Sequence, residues 1–596
     1  MDITDPREEA RKTRQDLLEE NRDLKARLQF ITDRQDAIEQ RLQRVENSVV
    51  FRLLRWLGPK LTAVGLPVPG ATPLSADQNY SLWLEETASR PAIEQAVPNE
   101  TNSPSLCIVL SARNPHRSRL EAALNALSKA PSTHFPILIL TDSQAPDWLR
   151  PTIEERIPGR VLRIVPGGAT QDGFKAALRE CQEEFIAIVS SDAVLQPEAI
   201  PALMSAAEPD AIAVYSDWDY ISTEGRRHTP RFTPENSPEL LSQILYWGKC
   251  YLVRTSAVRD LKWATQDAGL APEHELAILL AAGGTRVQRI PRILWHLQDG
   301  AADPLAPGTR KAAQPNPEGA RTAVHLSKAH SALRTSVIIC SRSAKLLDKC
   351  LKNLSPTLGP EDEVIVVAHQ REDAAALEQV SSAYGARVIP YRGSFHFGLM
   401  NRLGVDAAAA PMICLLNDDV SPISGDWLSL MHSQASKPEV GIVGALLLYP
   451  NGTIEHAGIA VGGRHFPAHV GRFQNDSLYW PWLRVTREVT AVTGACMVMR
   501  RTMWDDLDGF DDRFPVNFND VDLCLRATKR GYKVLLEARA VLTHEGAKTR
   551  NPVVYRQEHE LLYRLWWPVL SEPDRFFNPQ FGNTIEPILL GRINDR

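Results

Sequence analysis

The stretch PMICLLNDD, residues 411–419, is an apolar run that ends abruptly in an amide and two carboxylates. A short run that is apolar on both faces is typical of a strand buried in a parallel sheet. EFIAIVSSD, residues 184–192, has the same form and ends in Asp192. Because ligands bind beyond the carboxyl ends of such strands, both stretches predict a binding site where a buried strand ends.

Each of these stretches closes a series of four apolar segments separated by helix-forming sequence. The first series is SLCIVLSA (105–112), FPILILTD (135–142), RVLRIVP (160–166) and EFIAIVSSD; the second is TSVIICSR, DEVIVVAH, ARVIPY and PMICLLNDD. This alternation predicts an α/β fold made of two tandem, mostly parallel units. We expect the first unit at residues 104–300, a linker at 301–334, and the second unit with a C-terminal helical extension at 335–596.

The first hundred residues follow a different pattern. Apolar residues recur every seven positions in residues 1–50, which predicts a coiled coil and a homo-oligomer; a single amphipathic helix packed on its own domain is the alternative. The repeating positions are Leu17, Leu24, Ile31, Ile38 and Val45. In residues 51–103 we expect an amphipathic helix, which lies on an anionic membrane surface or docks on the next domain, and then a linker.

The composition excludes several classes of protein. A chain of 596 residues has room for several domains, and its net charge of −5 gives no sign of nucleic-acid binding. No apolar run reaches the roughly 18 residues of a membrane span, and the charged N-terminus argues against a secretory signal. The eight cysteines include no CxxC pair, so we expect buried free thiols in a reducing cytoplasm and no structural zinc.

The polar end of the second series has two interpretations. The oxygen atoms of Asn417, Asp418 and Asp419 suit a hard cation such as Mg²⁺ or Mn²⁺. Such a cation would offset the charge of a departing diphosphate. Acidic pairs also start turns and cap helices, so this motif alone leaves both interpretations open.

A second stretch, NFNDVDLCLRATKRGYKVLLEARAVLTHEGAKTR at residues 517–550, favours the metal interpretation. Asp520 and Asp522 open a predicted amphipathic helix, although one carboxylate is enough to favour the helix dipole. The other is then available as a general base for an incoming hydroxyl. His544 ends the next predicted strand, where it is either a ligand of the same cation or a structural histidine.

Taken together, the motifs of the second unit resemble the inverting family 2 glycosyltransferases with a GT-A fold, in particular the rhamnosyltransferase-like proteins of bacterial O-antigen and surface polysaccharide assembly. The resemblance covers about residues 335–585. It rests on the ordered series GSFHFGLMNRLGVDAA, LLNDDVSPISGDWL, VGALLLYPNGTIEHAG, VTGACMVMRR, GFDDRFPVNFNDVDLCLRATKRGYKV and THEGAKTR. It implies a Rossmann-like GT-A fold, a nucleotide-sugar donor and a divalent metal, Mg²⁺ or Mn²⁺.

The resemblance also implies roles for individual residues. Asp419 and His544 should contact the metal, with Asn417 in the first place of the family's DXD-type motif. Asp520 should be the catalytic base, and Asp522 should hold the neighbouring loop or the acceptor. The other implied positions are Asn401, Asp418 and Arg550 for the donor nucleotide, and Gly494, Ala495 and Cys496 for an acceptor-side turn whose small residues allow close approach of a sugar.

The first unit resembles a sister group of the same family, through AVYSDWDYISTEGRRHTPRFTPENSPELL, APEHELAILL and RILWHLQD. Its counterparts of the site residues are Asp192, Asp217, Asp219, Glu273, Glu275 and His296. Three features depart from the family: Ser190 replaces the first acid of the DXD-type motif, glutamates replace both aspartates, and the preceding helix lacks the expected asparagine near Lys175. A reacting group misplaced by about 1 Å costs roughly 100-fold in rate, so we expect a weakened or non-catalytic first domain.

The sequence therefore predicts an enzyme that moves a sugar from a nucleotide sugar to a hydroxyl of a growing glycan with inversion, with the second unit catalytic. The resemblance implies a lipid-linked acceptor, and hence a protein that is cytoplasmic or peripheral at the inner face of the cytoplasmic membrane. Two alternatives remain open: both units transfer a sugar, or both only bind glycan in a non-catalytic scaffold. The aromatic residues within 560–581 either stack on the acceptor or pack in the core.

Overall fold

A computed structural model describes residues 76–88, 105–129, 135–142, 144–157, 162–259, 261, 263, 270–282, 286–305, 334–369, 374–463, 465–475, 480–546 and 555–581. The predicted coiled coil at 1–50, the start of the segment predicted at 51–103, and Arg550 lie outside these residues. None of the described helices is long and apolar enough to cross a membrane.

The first domain, residues 105–305, is built on a sheet of nine strands within the described residues. Its strands are β1 (Leu106–Ala112), β2 (Ile137–Thr141), β3 (Leu162–Val165), β4 (Phe185–Ser190), β5 (Ala193–Leu195), β6 (Ala211–Ile221), β7 (Arg227–Arg231), β8 (Cys250–Arg254) and β9 (Arg286–Gln298). A preceding helix, α1 (Ala76–Ala88), is followed by α2 (Arg117–Ser128), α3 (Leu149–Arg156), α4 (Gln171–Glu180), α5 (Ala199–Ala206), α6 (Pro238–Leu241), α7 (Thr255–Arg259) and α8 (Pro272–Ala282).

The second domain, residues 334–581, repeats this plan and adds a small hairpin. Its strands are β10 (Thr335–Ser341), β11 (Glu363–His369), β12 (Arg387–Tyr391), β13 (Met412–Asn417), β14 (Val420–Pro422), β15 (Val440–Leu448), β16 (Ile454–His456), β17 (Ile459–Gly462), β18 (His465–His469), β19 (Arg487–Glu488), β20 (Cys496–Arg500) and β21 (Lys533–His544). Its helices are α9 (Ala344–Leu354), α10 (Ala374–Ala383), α11 (Phe397–Ala407), α12 (Trp427–Ala435), α13 (Arg501–Asp506), α14 (Asn519–Lys529) and α15 (Arg556–Leu570).

The two sheets correspond strand for strand. The first has the order β3-β2-β1-β4-β8-β6-β9-β5, and the second has the order β12-β11-β10-β13-β20-β15-β21-β14. The four strands at the start of each order are parallel to one another, and the fifth runs antiparallel to the fourth. The predicted tandem repeat is therefore present, and each sheet is mixed beyond its parallel half.

Buried strands and capped helices bring the polar strand ends to one edge of each sheet. All seven residues of β1 are buried, as expected for a central strand covered by helices on both faces. The helices that precede β4 and β13 begin at side-chain caps: Thr170 accepts a hydrogen bond from Gly173 N, and His396 accepts one from Leu399 N. The carboxyl ends of β4 and β13 then reach the crevice predicted for them.

Part of the expected linker before residue 104 is a helix. In α1, Tyr80 and Trp83 are buried one turn apart, on the same face. Tyr80 Oη donates to Asp219 Oδ2 at 2.5 Å, and the Trp83 ring lies edge-on to Phe232 with centroids 5.4 Å apart. The linker prediction is wrong for residues 76–88 because two aromatic anchors outweigh the polar composition around them.

The C-terminal segment of the second domain is built into the first domain. Asn578 Nδ2 donates to both carboxylate oxygens of Asp217 at 3.0 Å and to the Thr233 carbonyl at 2.9 Å. The rings of Phe581 and Phe232 meet edge to face with centroids 5.4 Å apart. One continuous hydrophobic cluster consequently contains buried residues of both domains. Trp566 and Phe577 are buried in it, so these aromatic residues pack in the core.

A second contact between the domains is polar. The buried carboxylate of Glu488 on β19 accepts hydrogen bonds from Ser237 Oγ and, at 3.2 Å, from Glu239 N at the start of α6. Glu239 in turn pairs with Lys437 Nζ at 2.6 Å. A carboxylate at the first turn of a helix is favoured by the helix dipole, so this contact fixes the position of β19 against α6.

Replacing Asn578 with alanine should destabilise the pair of domains. Asp217 is fully buried and would keep only its hydrogen bonds from Thr233 N and Thr233 Oγ1, both of 2.8 Å. Losing donors to a buried carboxylate should cost about 1–3 kcal/mol, measured as a shift of the urea unfolding midpoint. The matched control is Asn353→Ala, which removes one exposed hydrogen bond to Ser421. Equal shifts for the two variants would contradict the role given to Asn578.

Candidate active site

A tight turn before β20 brings two of the predicted motifs together. Gly494 N donates to Asp520 Oδ2 at 3.0 Å, and the carbonyl of the next residue, Ala495, accepts from Asn417 N at 2.9 Å. A side chain at Gly494 would meet the Phe397 ring, because a Cβ atom there would lie 3.2 Å from Phe397 Cε1. The strand-end motif and the helix that carries Asp520 therefore lie against the same stretch of backbone.

The two predicted metal ligands face each other beyond the strand ends. Asp419 Oδ1 and His544 Nε2 are 3.2 Å apart, and His544 is placed by the pairing of β21 with β14, where it lies opposite Val420. Two adjacent ligands of an octahedral ion with bonds of about 2.1 Å are separated by about 3 Å. A carboxylate oxygen and an imidazole nitrogen at this separation fit one divalent cation that takes its remaining ligands from water and phosphate.

Asp418 and Asn417, the other residues of the motif, are less available to bind a metal. Asp418 is buried and accepts a hydrogen bond from Ser341 Oγ at 2.6 Å. Burial raises the pKa of Asp418 to about 6, although the Ser341 hydrogen bond opposes the shift. Asn417 is half-buried at the end of β13. Asp418 thus braces β13 against β10, while the Asp419 side chain, which is 6% exposed, faces His544.

Glu455 is a member of the site that sequence reasoning missed. Its buried carboxylate lies between the ring of His544, with 3.1 Å from Oε2 to Nδ1, and the guanidinium of Arg472, with 3.5 Å from Oε1 to Nη2. Burial disfavours the imidazolium, but the carboxylates of Asp419 and Glu455 outweigh it and raise the pKa of His544 to about 10, so a cation bound at Nε2 would have to displace a proton. A carboxylate behind a ligating imidazole favours one ring orientation, and the ion pair with Glu455 is consistent with the one in which His544 Nε2 faces Asp419.

The signal for Glu455 was present in the motif GTIEHAG, but it has no diagnostic spacing. Glu455 lies on β16, 89 positions before His544 by their residue numbers. Only the pairing of β16 with β15 and of β15 with β21 brings the two side chains together. A sequence pattern that follows one strand or helix at a time does not register such a contact.

Asp520 lies in the first turn of α14, which begins directly after a strained backbone position at Phe518. It is the second residue of the helix, and its Oδ1 accepts from Val521 N at 2.9 Å. The residue before the helix, Phe518, has φ of 62°, a left-handed conformation that costs energy for a bulky side chain. With Gly494 N on Oδ2, two backbone donors fix the half-buried carboxylate.

A residue of α15, Glu558, stabilises the strained backbone around Phe518. The buried carboxylate of Glu558 accepts from Val516 N at 2.8 Å, Asn517 N at 2.7 Å and Asn517 Nδ2 at 2.6 Å. Three donors on one carboxylate fix the loop that leads into α14. This contact also was not predicted from the sequence, because α15 lies outside the motif that it supports.

Asp522 forms a further contact between α14 and α15. Trp566 Nε1 donates to Asp522 Oδ1 at 2.9 Å, and Arg526 Nε donates to Oδ2 at 2.8 Å. The residue is 1% exposed. Both oxygens are engaged inside the protein, so in this structure Asp522 is a positioning residue that joins α14 to α15. The catalytic or acceptor-contacting role expected for Asp522 stays a prediction, and this geometry does not favour it.

The remaining predicted positions of the second domain differ in exposure. Asn401 is buried on α11, and its Nδ2 donates to the Phe397 carbonyl at 2.9 Å. It therefore stabilises the helix whose first residue packs on Gly494. Cys496 is buried at the start of β20, opposite Leu416. Arg550 lies outside the described residues.

The first domain presents its counterparts with different partners. Glu273 and Glu275 are the second and fourth residues of α8, as Asp520 and Asp522 are of α14. Glu273 accepts from Ser111 Oγ and lies 3.7 Å from Arg113 Nη2, while Glu275 accepts from Gln171 Nε2. Both glutamates are thus at the predicted positions, and both are engaged by side chains of their own domain.

His296 and its neighbours follow the plan of the second domain only in part. His296 lies opposite Val194 on β5, as His544 lies opposite Val420, and its Nδ1 contacts Asp219 Oδ1. Asp219 also pairs with Arg227 Nε at 2.7 Å, so its position matches the role of Glu455 behind the histidine.

Asp217 is not part of this site. It is fully buried, bound by Thr233 and Asn578, and burial raises its pKa to about 6. Its inclusion among the site residues is therefore corrected: it is an anchor between the domains.

The cysteines are confirmed as free, and seven of the eight are buried. One group in the described chain brings three metal-ligating side chains within 4.8 Å of one another, namely Cys107, Cys181 and Glu183. Cys107 lies near the amino end of β1, at the edge of the sheet opposite the crevice. A hydrogen bond from Cys181 and burial raise the pKa of the Cys107 thiol, which disfavours the thiolate that a metal needs.

Comparison with known proteins gives the same description for both domains. A model described as "Glycosyl transferase family 2" matches residues 107–265, and one described as "Glycosyltransferase like family 2" matches residues 333–560. The O-antigen biosynthesis protein RfbC of Myxococcus xanthus is 27% identical over 558 residues, which are 87% of this chain and 43% of that protein. The chain thus spans less than half the length of this relative.

A shorter relative aligns with only part of the chain. It is the N-acetylglucosaminyl-diphospho-decaprenol L-rhamnosyltransferase of Mycobacterium tuberculosis, which is 25% identical over 240 residues, 36% of this chain and 76% of that protein. Among solved structures, the mannosyltransferase PcManGT from Pyrobaculum calidifontis with GDP-Man and Mn²⁺ has a TM-score of 0.29 and 16% identity, covering 44% of this chain and 71% of that one. The two matches confirm the predicted family for both domains, and the two mixed sheets covered by helices confirm the predicted α/β fold class.

Replacing Trp566 with phenylalanine should loosen the start of α14. The change leaves one oxygen of the buried Asp522 without its donor, which should cost about 1–3 kcal/mol. Hydrogen exchange of residues 516–524 should accelerate. Trp567→Phe is the matched control on the same helix, since the Trp567 ring is half-buried and packs on Tyr563. In a double-mutant cycle with Asp522→Asn the two losses should be non-additive; additive losses would rule out the coupling.

Proposed function

The chain belongs to glycosyltransferase family 2, and we propose that its second domain transfers a sugar from a nucleotide-sugar donor to a hydroxyl of a growing surface glycan, with inversion at the anomeric carbon. The observation that carries the proposal is the shared turn at Gly494 and Ala495. One backbone segment holds Asp520 at 3.0 Å on one side and Asn417, at the head of the NDD motif, at 2.9 Å on the other. Because one turn joins the proposed base to the proposed diphosphate site, the two can act on opposite sides of the anomeric carbon in a direct displacement.

The donor is proposed to lie along the carboxyl ends of β10 and β13. Asp419 and His544 would hold a divalent cation, Mg²⁺ or Mn²⁺, with Asn417 beside them and Glu455 fixing the imidazole from behind. When bound, such a cation neutralises the diphosphate and stabilises it as a leaving group. Asn401, Asp418 and Arg550 remain proposed contributors to the donor pocket, with Asn401 and Asp418 acting from inside its wall.

The chemical step is proposed as a single displacement. The acceptor oxygen attacks the anomeric carbon as the bond from that carbon to the diphosphate oxygen breaks, and the proton of the hydroxyl passes to Asp520. Each Asp520 oxygen accepts one backbone N–H, which fixes the carboxylate and leaves a lone pair on each oxygen for the proton. Inversion follows because one displacement takes place without a covalent intermediate.

The acceptor side is proposed to be the surface over Gly494, Ala495 and Cys496. The names of the two relatives support a glycan of the O-antigen or surface polysaccharide class and an acceptor linked to a lipid diphosphate, with rhamnose as the first donor sugar to test. A lipid-linked acceptor suits a protein at the inner face of the cytoplasmic membrane. The proposed homo-oligomer and peripheral membrane contact rest on the sequence of residues 1–61.

Asp520→Asn should abolish transfer and leave donor binding intact. The amide keeps the size of the side chain and loses the base, so turnover should fall by roughly 100- to 10,000-fold, measured as nucleotide release from a panel of nucleotide sugars with lipid-linked acceptors and Mn²⁺ or Mg²⁺. Nucleotide affinity, measured by calorimetry, should not change. Asp505→Asn is the matched control, since Asp505 makes an exposed pair with Arg501.

Three further outcomes of the same assay are decisive. Turnover retained by Asp520→Asn would refute the base assignment. A separate transfer reaction lost only in Glu273→Gln would mean that both domains are active. Binding of glycan without turnover of any donor, in the wild type and with acceptor supplied, would favour the scaffold.

Removal of divalent cations should stop the reaction. EDTA should abolish turnover, and Mn²⁺ or Mg²⁺ should restore it. His544→Ala should raise the Mn²⁺ concentration needed for half-maximal activity by roughly 10- to 100-fold, since ligand and outer-shell changes have effects of that order. Mn²⁺ binding, measured by electron paramagnetic resonance, should weaken in parallel. Unchanged Mn²⁺ affinity in His544→Ala would remove this histidine from the metal site.

A further inference from the structure

Positions 249 and 495 are equivalent in the two domains, but the first is a lysine and the second an alanine. In the second domain, Asn417 N donates to the Ala495 carbonyl at 2.9 Å; in the first, Ser190 N donates to the Lys249 carbonyl at 3.0 Å. The next residue starts an antiparallel strand in both domains, Cys496 on β20 and Cys250 on β8. Lys249 therefore stands where the second domain has the methyl group of Ala495.

The side chain of Lys249 lies against the counterpart of a predicted metal ligand. Its Nζ lies 3.4 Å from Asp192 Oδ2, and Arg119 Nε lies 2.8 Å from Asp192 Oδ1. Asp192 follows β4 as Asp419 follows β13, so it is the counterpart of the predicted metal ligand. Each oxygen of this carboxylate already has a cation of the same chain. A divalent ion at Asp192 would be repelled by both cations, so the residues present do not fit a metal.

The balance of charge differs across the two crevices. In the second domain Asp418, Asp419 and Asp520 contact a serine, a histidine and backbone N–H groups, and Arg342 is a nearby cation that favours the charged form of Asp418. In the first domain Asp192 has two cations, and Glu273 has Arg113 within 3.7 Å. The second crevice has three carboxylates beside Arg342 and His544, whereas the first has three cations, Arg119, Lys249 and Arg113, beside the two carboxylates of Asp192 and Glu273.

We propose that the first domain binds the diphosphate of a nucleotide without a divalent cation, and that Lys249 and Arg119 supply the positive charge. Both side chains are largely buried, with 17% and 23% exposure, and they lie at the carboxyl ends of buried parallel strands. Burial lowers the pKa of Lys249, and Asp192 opposes the shift. Asp192 is shared with Arg119 and balances the ammonium of Lys249 only in part. A second anion would therefore stabilise the charged form of Lys249.

A diphosphate suits this site better than a neutral glycan does. Arg119 and Lys249 approach Asp192 from opposite oxygens, which places two donors with fixed charge on either side of one carboxylate. A phosphate group offers several acceptors to such a pair, and lysine binds phosphate as a point charge. A neutral sugar would leave the surplus charge uncompensated. The site in this proposal is independent of the second domain's metal site.

The test uses the full chain with Asp419→Ala, which removes the proposed metal ligand of the second domain. In EDTA, this variant should bind UDP, TDP, GDP or inorganic pyrophosphate in calorimetry. Lys249→Ala added to it should weaken that binding at least tenfold, Lys249→Arg should restore most of it, and Lys129→Ala on the exposed end of α2 should leave it unchanged. Electron paramagnetic resonance should detect no Mn²⁺ bound to the Asp419→Ala chain.

The outcomes separate this proposal from that for the second domain. If wild type binds no Mn²⁺, the metal site proposed for the second domain is wrong. Anion binding in EDTA that depends on Lys249 would still support the proposal for the first domain. The proposal is overturned if the Asp419→Ala chain binds Mn²⁺ and loses it with Asp192→Ala. It is equally overturned if none of the four anions binds in EDTA, or if Lys249→Ala, folded by circular dichroism, binds them as tightly as its parent.

Discussion

The antiparallel strand that lies beside the last parallel strand is the constraint on which both crevices depend. In the second domain, β20 can lie against β13 only if the chain turns sharply at Gly494 and Ala495, and this turn then touches Asp520 on one side and Asn417 on the other. The first domain keeps the same backbone contact with Lys249 in place of Ala495. The backbone is thus a common frame, and the side chain at one position of the turn decides which charge the crevice presents.

Much of this architecture could be predicted from local sequence. Buried parallel strands are apolar along their whole length, so β1, β4, β10 and β13 were evident, and the polar residues at their ends marked the crevice. Asp419, Asp520 and His544 each follow or open such an element, and the structure gives them a common neighbourhood. Local sequence could supply these positions because each depends on one strand or helix and on the edge that it reaches; the roles given to the three residues stay predictions.

The missed residues act across long distances in the chain. Glu455, Glu558 and Trp566 contact the site from β16 and α15, and no short motif connects them with His544, Asn517 or Asp522. Asp217 was misassigned because the family resemblance of its motif does not distinguish an acid that faces the crevice from one that anchors another segment. Lys249 was overlooked because its meaning appears only when the two sheets are superimposed strand for strand. The α1 helix was hidden by the composition around its two aromatic anchors.

The contact between Asn578 and Asp217 has a consequence for the order in which the protein is made. The two residues are 361 positions apart in the chain. As the ribosome releases the polypeptide from its N-terminus, the first domain emerges before Asn578 and Phe581, the partners of Asp217 and Phe232 in the second domain, have been synthesised. Its buried carboxylate and apolar edge stay open through the whole synthesis of the second domain, a period in which such surfaces are prone to association. Completion of the first domain is therefore a late step of biosynthesis, although its sequence comes first.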